Sequence, residues 1–311
     1  MPELSLIICT RNREDMIGDV LESAANQTLG KSQYEIVVID QSSNDETQKL
    51  VEKYPDFKYI KLDSRGVSIS RNEGIKQSSG EILVYIDDDI LFENDYLENI
   101  LTFYKTSELK PDMVGGKTIV KFLGQKPEWL EGPLLGILAH SDYGDESLIL
   151  DSHPKHVPYT CNMAIKRECL EKIGGFSEFL SELEQKFPIN EDVMFAHEIK
   201  NQGYNLVYDP KMFVYHRMPA SRMTYKYYSE KYFAHGKSDA YLYYLLKMFD
   251  KKEAPGKILL HSKRILEGLI LQHFKTEISE KYYQKLRFHY NLGYIGSLFR
   301  ILMRRNNKNY D

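Results

Sequence analysis

The sequence predicts an α/β fold: a mostly parallel central sheet flanked by helices, with a helical C-terminal extension. Three observations predict it. The apolar runs "LSLIICT", "EIVVID" and "EILVYI", with "FKYIKL" a weaker fourth, recur along the first part of the chain. Between them Met16, Ile17, Val20, Leu21 and Ala24 recur at helical spacing, as do Leu50, Val51 and Tyr54. From about Met223 the chain reads as helix to its end. Strands written as continuous apolar runs are buried on both faces, and their alternation with helices is the pattern of a parallel sheet.

Each element can be justified in turn. "SSNDE" is a capping sequence, so the helix carrying Leu50 and Val51 starts there, capped by Ser43 or Asn44. Tyr96, Leu97, Ile100, Leu101 and Tyr104 give a further stripe, on a helix expected to begin near Asn94. The stretch from Phe122 to about Val157 holds Pro127, Gly132, Pro133, Gly136 and Gly144, and reads as irregular. Long irregular stretches inside a compact domain are usually functional. "NMAIKRECLEKIGGF" is a strand end leading into a helix closed by Gly174 and Gly175. In "NEDVMFAHEIKNQGY", Asn190 is the expected N-cap, Glu191 and Asp192 lie in the first turn, and Gly203 ends the helix. "NLVYDPKMFVYH" reads as one or two short strands ending at His216. The expected organisation is a catalytic domain over 1–220, with halves about 1–121 and 122–220, and a helical extension over 221–311.

The 311 residues are 42% hydrophobic and 28% charged, enough for a sizeable core. No apolar run approaches the roughly 20 residues that span a bilayer, and the start lacks the basic flank of a secretory signal. Three cysteines without zinc-like spacing (Cys9, Cys161, Cys169) suit a reducing cytoplasm. The net charge of −4 is unevenly spread. Beyond Ser221 there are 18 Lys and Arg against 8 Asp and Glu, a balance of +10, leaving −14 for the rest. The acidic body argues against nucleic acid as a partner. The basic tail carries aromatic helices such as "YLYYLLKMF" and "YIGSLFRILMRR", in which Tyr294, Ile295, Leu298, Phe299 and Leu302 share a face ending at Arg304 and Arg305. Such a helix either lies on the anionic inner face of the cell membrane or packs against the rest of the protein or a second subunit.

Ligands of parallel α/β sheets bind at the carboxyl ends of the strands. The groups there are Thr10 and Arg11, Asp40, and the run Asp87-Asp88-Asp89, all expected to face one crevice. Three adjacent carboxylates repel unless a cation relieves them. Mg²⁺-like ions take one or two protein carboxylates and complete their shell with phosphate oxygens. The alternative is a solvated acidic turn before a helix. His216 can ligate a Mn²⁺-like ion or simply pack. Asp40 can accept from a base N–H or serve a turn. "RGVSISRNEGI" couples Arg65 and Arg71 to Gly66 and Gly74, suited to phosphate or base oxygens or to a surface turn. Asp192, beside Glu191, is favoured by the helix dipole and also points into a cleft where it can act as a general base. Trp129 offers a flat face to an acceptor sugar or pins its loop.

Taken together and in order, "SLIICTRNRED", "EIVVIDQSSND", "RGVSISRNEGI", "ILVYIDDDI", "PYTCNMAIKRECLEKIGGFSE", "NEDVMFAHEIKNQGYNLVYDPKMFVYH" and "RMTYKYYSEKYFAHGKS" resemble the family-2 inverting glycosyltransferases of the GT-A fold, over roughly residues 3 to 235. "PEWL...LLG" with "DYG" and the "RMT...HGKS" tail resemble a bacterial subgroup that assembles surface polysaccharides. The resemblance implies metal-dependent transfer of a sugar from a nucleoside diphosphate, UDP foremost, to a hydroxyl of a glycan or lipid-linked acceptor. It implies Mn²⁺ or Mg²⁺ on Asp89, His216 and Asp87. It assigns Thr10, Arg11, Asp40, Gly66, Arg71, Asp87 and Asp88 to the nucleotide sugar, Asp192 to the catalytic base, and Trp129 and Glu191 to the acceptor side. Gln41 departs from the small or acidic residue many relatives place after Asp40. Two other readings were weighed. A non-catalytic sugar-nucleotide-binding or scaffolding relative would have lost Asp89 or Asp192, and both are present. A haloacid-dehalogenase-type phosphatase would carry "DDDIL" after its first strand, whereas three strands precede it here.

Overall fold

The apolar run Leu4–Thr10 forms β1 at the centre of the parallel half of a sheet. It pairs in parallel with β2 (Tyr34–Asp40) on one side and β4 (Ile82–Asp87) on the other, and β3 (Phe57–Lys61) adds to β2. Both faces are covered, which is why the run does not alternate. Leu4, Leu6 and Ile8 pack with Ile17, Val20, Leu21 and Ala24 of α1 (Glu14–Ala25). On the other face Ile7 meets α3 (Val67–Gln77) at Gly74, where a Cβ would lie 2.6 Å from the isoleucine side chain, so only glycine lets the helix come this close. The short α2 (Glu46–Val51) and α4 (Tyr96–Thr106) share the α1 face. The N-cap of α2 is Asp45, one residue past the expected Ser43 or Asn44, and its side chain makes no capping bond; Asn44 Oδ1 accepts from the Glu46 N–H in the turn before the helix. The computed structural model describes residues 1–150, 156–177 and 190–303.

Beyond β4 the sheet is mixed. β8 (Asn162–Lys166) pairs antiparallel with β4 and with β6 (Met113–Leu123); β9 (Leu206–Pro219) follows, antiparallel to the short β5 (Ile90–Phe92) and to β7 (Leu148–Ile149). The segment expected to be one or two strands ending at His216 is a single strand running on to Pro219. Gly174, at φ 81°, closes α5 (Arg167–Ile173), and α6 (Glu191–Asn201) follows. Among the described residues the irregular middle holds a 3-10 turn at Gly132–Leu138 and β7, and Ser141 bridges back to Thr118 of β6.

Two compact units emerge. One comprises residues 1–121, 139–182 and 191–217 and carries the sheet. The other comprises 122–138, 183–190 and 218–311 and is built on α7 (Tyr225–Leu245), α8 (Ala254–Leu271) and α9 (Ile278–Met303). In this second unit α7 and α9 touch backbone to backbone. A Cβ on Gly236 would fall 1.9 Å from the Tyr290 carbonyl oxygen, and one on Gly293 2.1 Å from that of Phe233. Tyr294, Leu298 and Ile301 of α9 are buried with Ala240, Phe249 and Ala254. Of the face of α9 considered for a bilayer, Tyr294 and Leu298 are therefore spent on packing inside its own unit, while Phe299 and Leu302 stay 49% and 36% exposed. Arg304 and Arg305 lie outside the described residues.

Candidate active site

Strand register brings the predicted groups together. Thr10 pairs with Asp40 across β1 and β2, and Cys9 with Asp87 across β1 and β4, so three strand ends finish at one level. Thr10 Oγ1 donates to Asp88 Oδ2 at 2.7 Å. The pairing of Ile90 with His216 sets His216 alongside the aspartate run, with Nε2 3.2 Å from Asp89 Oδ1. The Arg217 N–H donates to the Asp89 carbonyl at 2.9 Å and fixes the same crossing. Asp89 and His216 are 4% and 7% exposed.

The run is short of positive charge. Burial pushes the Asp87 carboxyl above the usual range, Arg71 pulls the other way, and Asp89 and Asp192 push it further up. Burial and Asp89 push Asp88 up to about 7, against Thr10 and Arg13. Arg13, from the turn after β1, places Nη2 2.8 Å from Asp89 Oδ2 and Nε 3.7 Å from Asp88 Oδ1. Two carboxylates and an imidazole are a donor set that suits a hard divalent cation, and the elevated Asp87 and Asp88 mark a charge excess that such an ion would relieve. Among the described residues the three-donor groupings within 4.8 Å comprise Asp112, Glu168 and Cys169. Asp87, Asp89 and His216 are more open and would need other oxygens to finish a shell.

Asp192 lies at the start of α6. Its Oδ1 accepts from Thr160 Oγ1 at 2.9 Å and its Oδ2 from the Thr160 N–H at 3.3 Å. Thr160 in turn accepts from Arg71 Nη2, a buried guanidinium on α3. Arg71 Nη1 stands 3.5 Å from Asp192 Oδ1 and 3.6 Å from Glu191 Oε1, so the adjacent acids share one counter-ion. Burial would lower the pKa of Arg71, but Asp192, Glu191 and Asp87 outweigh it and raise it. The site's acids are thus divided between two arginines, Arg13 on the aspartate run and Arg71 on the helix start.

The remaining predicted residues are placed differently. Asp40 is fully buried and accepts from the Ser42 N–H (2.7 Å), Tyr59 Oη (2.8 Å) and Lys61 Nζ (3.2 Å). A carboxylate has about four acceptor positions, so roughly one is left for a base. Gln41, the departure noted in the sequence, donates from Nε2 to the carbonyls of Ser64 (2.6 Å) and Gly66 (3.2 Å). It tethers the loop before α3, where Gly66 takes φ 141°. Arg11 is exposed. Trp129 belongs to the second unit, is 8% exposed, stacks on Tyr282 (4.9 Å) and meets Tyr228 edge-on (5.0 Å). That packing is the loop-pinning alternative, and it leaves little ring face for a sugar. Arg13, Thr160 and Arg217 are the residues sequence reasoning passed over. Arg13 and Thr160 lie within the quoted stretches, and only contacts between distant segments give them a role.

Residues 5–174 match the pattern of Glycosyl transferase family 2, more than half of the chain. The chain belongs to this family. Poly(ribitol-phosphate) beta-N-acetylglucosaminyltransferase TarP of Staphylococcus aureus is 33% identical over 130 residues, 40% of this family-2 chain and 39% of TarP. The chain therefore spans well under two thirds of that relative's length. Among solved family-2-like structures, the mannosyltransferase PcManGT from Pyrobaculum calidifontis, in complex with GDP-Man and Mn²⁺, superposes with a TM-score of 0.61 at 17% identity, covering 94% of this chain and 87% of that one. A TarS fragment from S. aureus in complex with UDP gives 0.53 at 18% identity, covering 96% and 91%. The family-2 chain thus has the GT-A fold, with a sheet that is parallel from β3 to β4 and mixed beyond.

Proposed function

We propose that this family-2 glycosyltransferase moves a sugar from a UDP donor to a hydroxyl of a glycan or lipid-linked acceptor, with inversion at the anomeric carbon and with a divalent cation. The observation that carries the reading is the separation of two acidic groups onto two arginines. Asp87, Asp88 and Asp89, with His216, form a cation-seeking cluster with Arg13 on Asp88 and Asp89, while Asp192 is held by Thr160 and Arg71, near enough to Asp87 for the two carboxylates to repel. A base used in an inverting displacement must stand on the face opposite the leaving group, and such a division provides for it. UDP is favoured by the UDP complex of the TarS fragment and by the predicted base contact of Asp40. PcManGT was solved with GDP-Man and Mn²⁺, which favours a divalent cation in this reading.

In this reading Asp89 and His216, with Asp87, hold Mn²⁺ or Mg²⁺, which supplies charge to offset the departing diphosphate. Thr10 and Arg11 contact the nucleotide. Asp88, hydrogen-bonded to Thr10, lies towards the ribose or sugar. Asp192 takes the acceptor hydroxyl proton as that oxygen bonds to the anomeric carbon and the bond to the diphosphate breaks, its electron pair leaving with the phosphate oxygen. Thr160 fixes both carboxylate oxygens of Asp192, and Arg71 stands beside them as a counter-ion. Residues 1–220 would form the catalytic part and 221–311 the helical extension. No helix among the described residues is long and apolar enough to cross a membrane. Contact with the anionic inner face of a membrane would run through α8. The deciding experiment is a screen of UDP- and GDP-sugars with Mn²⁺, reading nucleoside diphosphate release, followed by the anomeric configuration of the product by NMR. Release from a UDP-sugar with an inverted product is expected. A retained configuration, or preference for GDP-sugars, overturns the corresponding part.

A further inference from the structure

We propose that Arg13 is a displaceable resident counter-ion of the aspartate run. It holds Asp89 and Asp88 while the donor is absent, keeps a lone divalent cation off Asp89, and yields when a nucleoside diphosphate arrives with the cation. This rests on the donor-and-cation reading above. Arg13 Nη2 takes Asp89 Oδ2 at 2.8 Å, and His216 Nε2 stands 3.2 Å from the other oxygen, so both oxygens of the central ligand are engaged. A guanidinium has no accessible neutral form, so it cannot step aside by losing a proton. A cation approaching alone must therefore work against a fixed positive charge as well as lose its own water.

The fork is incompletely used. Arg13 Nε is buried and has no hydrogen-bond partner; Asp88 Oδ1, at 3.7 Å, is too far. A diphosphate brings the oxygens that a guanidinium binds through two parallel N–H groups. Leaving Asp89 for phosphate would give Arg13 better hydrogen bonding at the moment the carboxylate is released to the cation. The backbone permits the exchange without unfolding anything. The Arg13 carbonyl accepts the Met16 and Ile17 N–H groups, each at 2.9 Å, at the start of α1, so the main chain is anchored while a side chain 24% exposed changes rotamer. Arg71 cannot take this role, because Thr160, Asp192 and Glu191 surround it and its side chain is 5% exposed.

The test titrates Mn²⁺ into the full chain and follows free Mn²⁺ by electron paramagnetic resonance, first without nucleotide and then with UDP, GDP in parallel. No sugar acceptor and no turnover are needed. Nearby charges change a carboxylate's affinity for a cation as they change its affinity for a proton, so R13Q should bind Mn²⁺ alone about tenfold or more tightly than the unaltered chain. Adding UDP should tighten the unaltered chain strongly and R13Q much less. R13K, which restores the charge, should move affinity back towards that of the unaltered chain, and R13Q/D89N should lose the gain. Thermal melts of each variant establish that it is folded. A folded R13Q that binds Mn²⁺ alone no more tightly than the unaltered chain overturns the proposal, as does a gain that persists in R13Q/D89N. If neither nucleotide affects Mn²⁺ binding, the donor reading fails, while the nucleotide-free comparison still decides the role of Arg13.

Discussion

Asp192 illustrates what one residue is asked to do. Its two oxygens are oriented by Thr160 and Arg71 Nη1 stands 3.5 Å from one of them, an arrangement that suits the proposed base. A positioned base contributes about 10² to 10⁴ in rate. D192N should therefore lower turnover by at least about a hundredfold and leave UDP affinity, read by calorimetry, nearly unchanged, since it removes a group on the acceptor side. Near-normal turnover in D192N would move the base elsewhere, with Glu191 next to be tested. His261 gives a second residue-scale prediction, on stability. It is buried on α8, stacks on Tyr294 at 3.9 Å and donates from Nδ1 to Asn291 Oδ1 at 2.6 Å; Asn291 Nδ2 is itself committed to the Arg287 carbonyl. Burial lowers its pKa, the Asn291 bond opposes this, and Arg264 and Lys257 lower it further. A histidine whose folded pKa lies below its unfolded value binds fewer protons when folded, so stability is full above about pH 6.5 and declines as pH falls through that value. Melting temperature should drop between pH 7.5 and 5.5, and H261Q should flatten that slope; an unchanged slope refutes the assignment.

At the scale of elements, the pairing of α7 with α9 depends on two glycines rather than on apolar complementarity alone. Gly236 and Gly293 each admit the partner's backbone at distances no Cβ could share. G236A or G293A should force the helices apart and cost about 1–3 kcal/mol, the usual penalty for overpacking. Thermal melts followed by circular dichroism would show a lowered transition. G256A, where a Cβ meets nothing within 4 Å, is the matched control and should not lower it. A similar constraint acts in the sheet. Gly116 on β6 lies where a Cβ would fall 1.8 Å from the Met212 carbonyl of β9, the strand that delivers His216. Strand spacing here thus sets the position of a proposed metal ligand.

For the whole molecule, charge and exposed apolar surface coincide on α8, a helix the sequence did not single out. Leu259, Leu266 and Ile270 are 73%, 63% and 59% exposed, and Phe274 just beyond is 77% exposed. Lys263 sits within this stripe, Lys257, Arg264 and Lys275 flank it, and Glu267 is the lone acid on the helix. Apolar side chains with a basic surround complement an anionic bilayer, each basic residue adding about 1 kcal/mol near its surface. Co-sedimentation with vesicles containing phosphatidylglycerol should show binding that weakens with salt, absent from phosphatidylcholine vesicles and reduced in L266E/F274E. Light scattering that finds a dimer broken by L266E/F274E, with no vesicle binding, would assign the face to a second copy instead.

The sequence by itself determined the parallel half of the sheet, its covering helices and the acidic run at the strand ends. These are local signals: apolar runs, helical spacing and caps are written in neighbouring residues. Asp87, Asp89, Asp192 and His216 were legible because their residue types are chemically costly in place and their order fits one family. The mixed half, with β9 running to Pro219, was not legible, since the partners here come from distant segments and short runs do not name them. Tertiary structure alone decided that Arg13 joins Asp89 across 76 positions and that Thr160 joins Arg71 across 89. It also decided that Trp129 and, on α9, Tyr294 and Leu298 are spent on packing while α8 keeps its own stripe exposed. Periodicity reports that a face is apolar; only the arrangement of all the helices fixes which face is buried, because burial is a property of the neighbours and not of the segment.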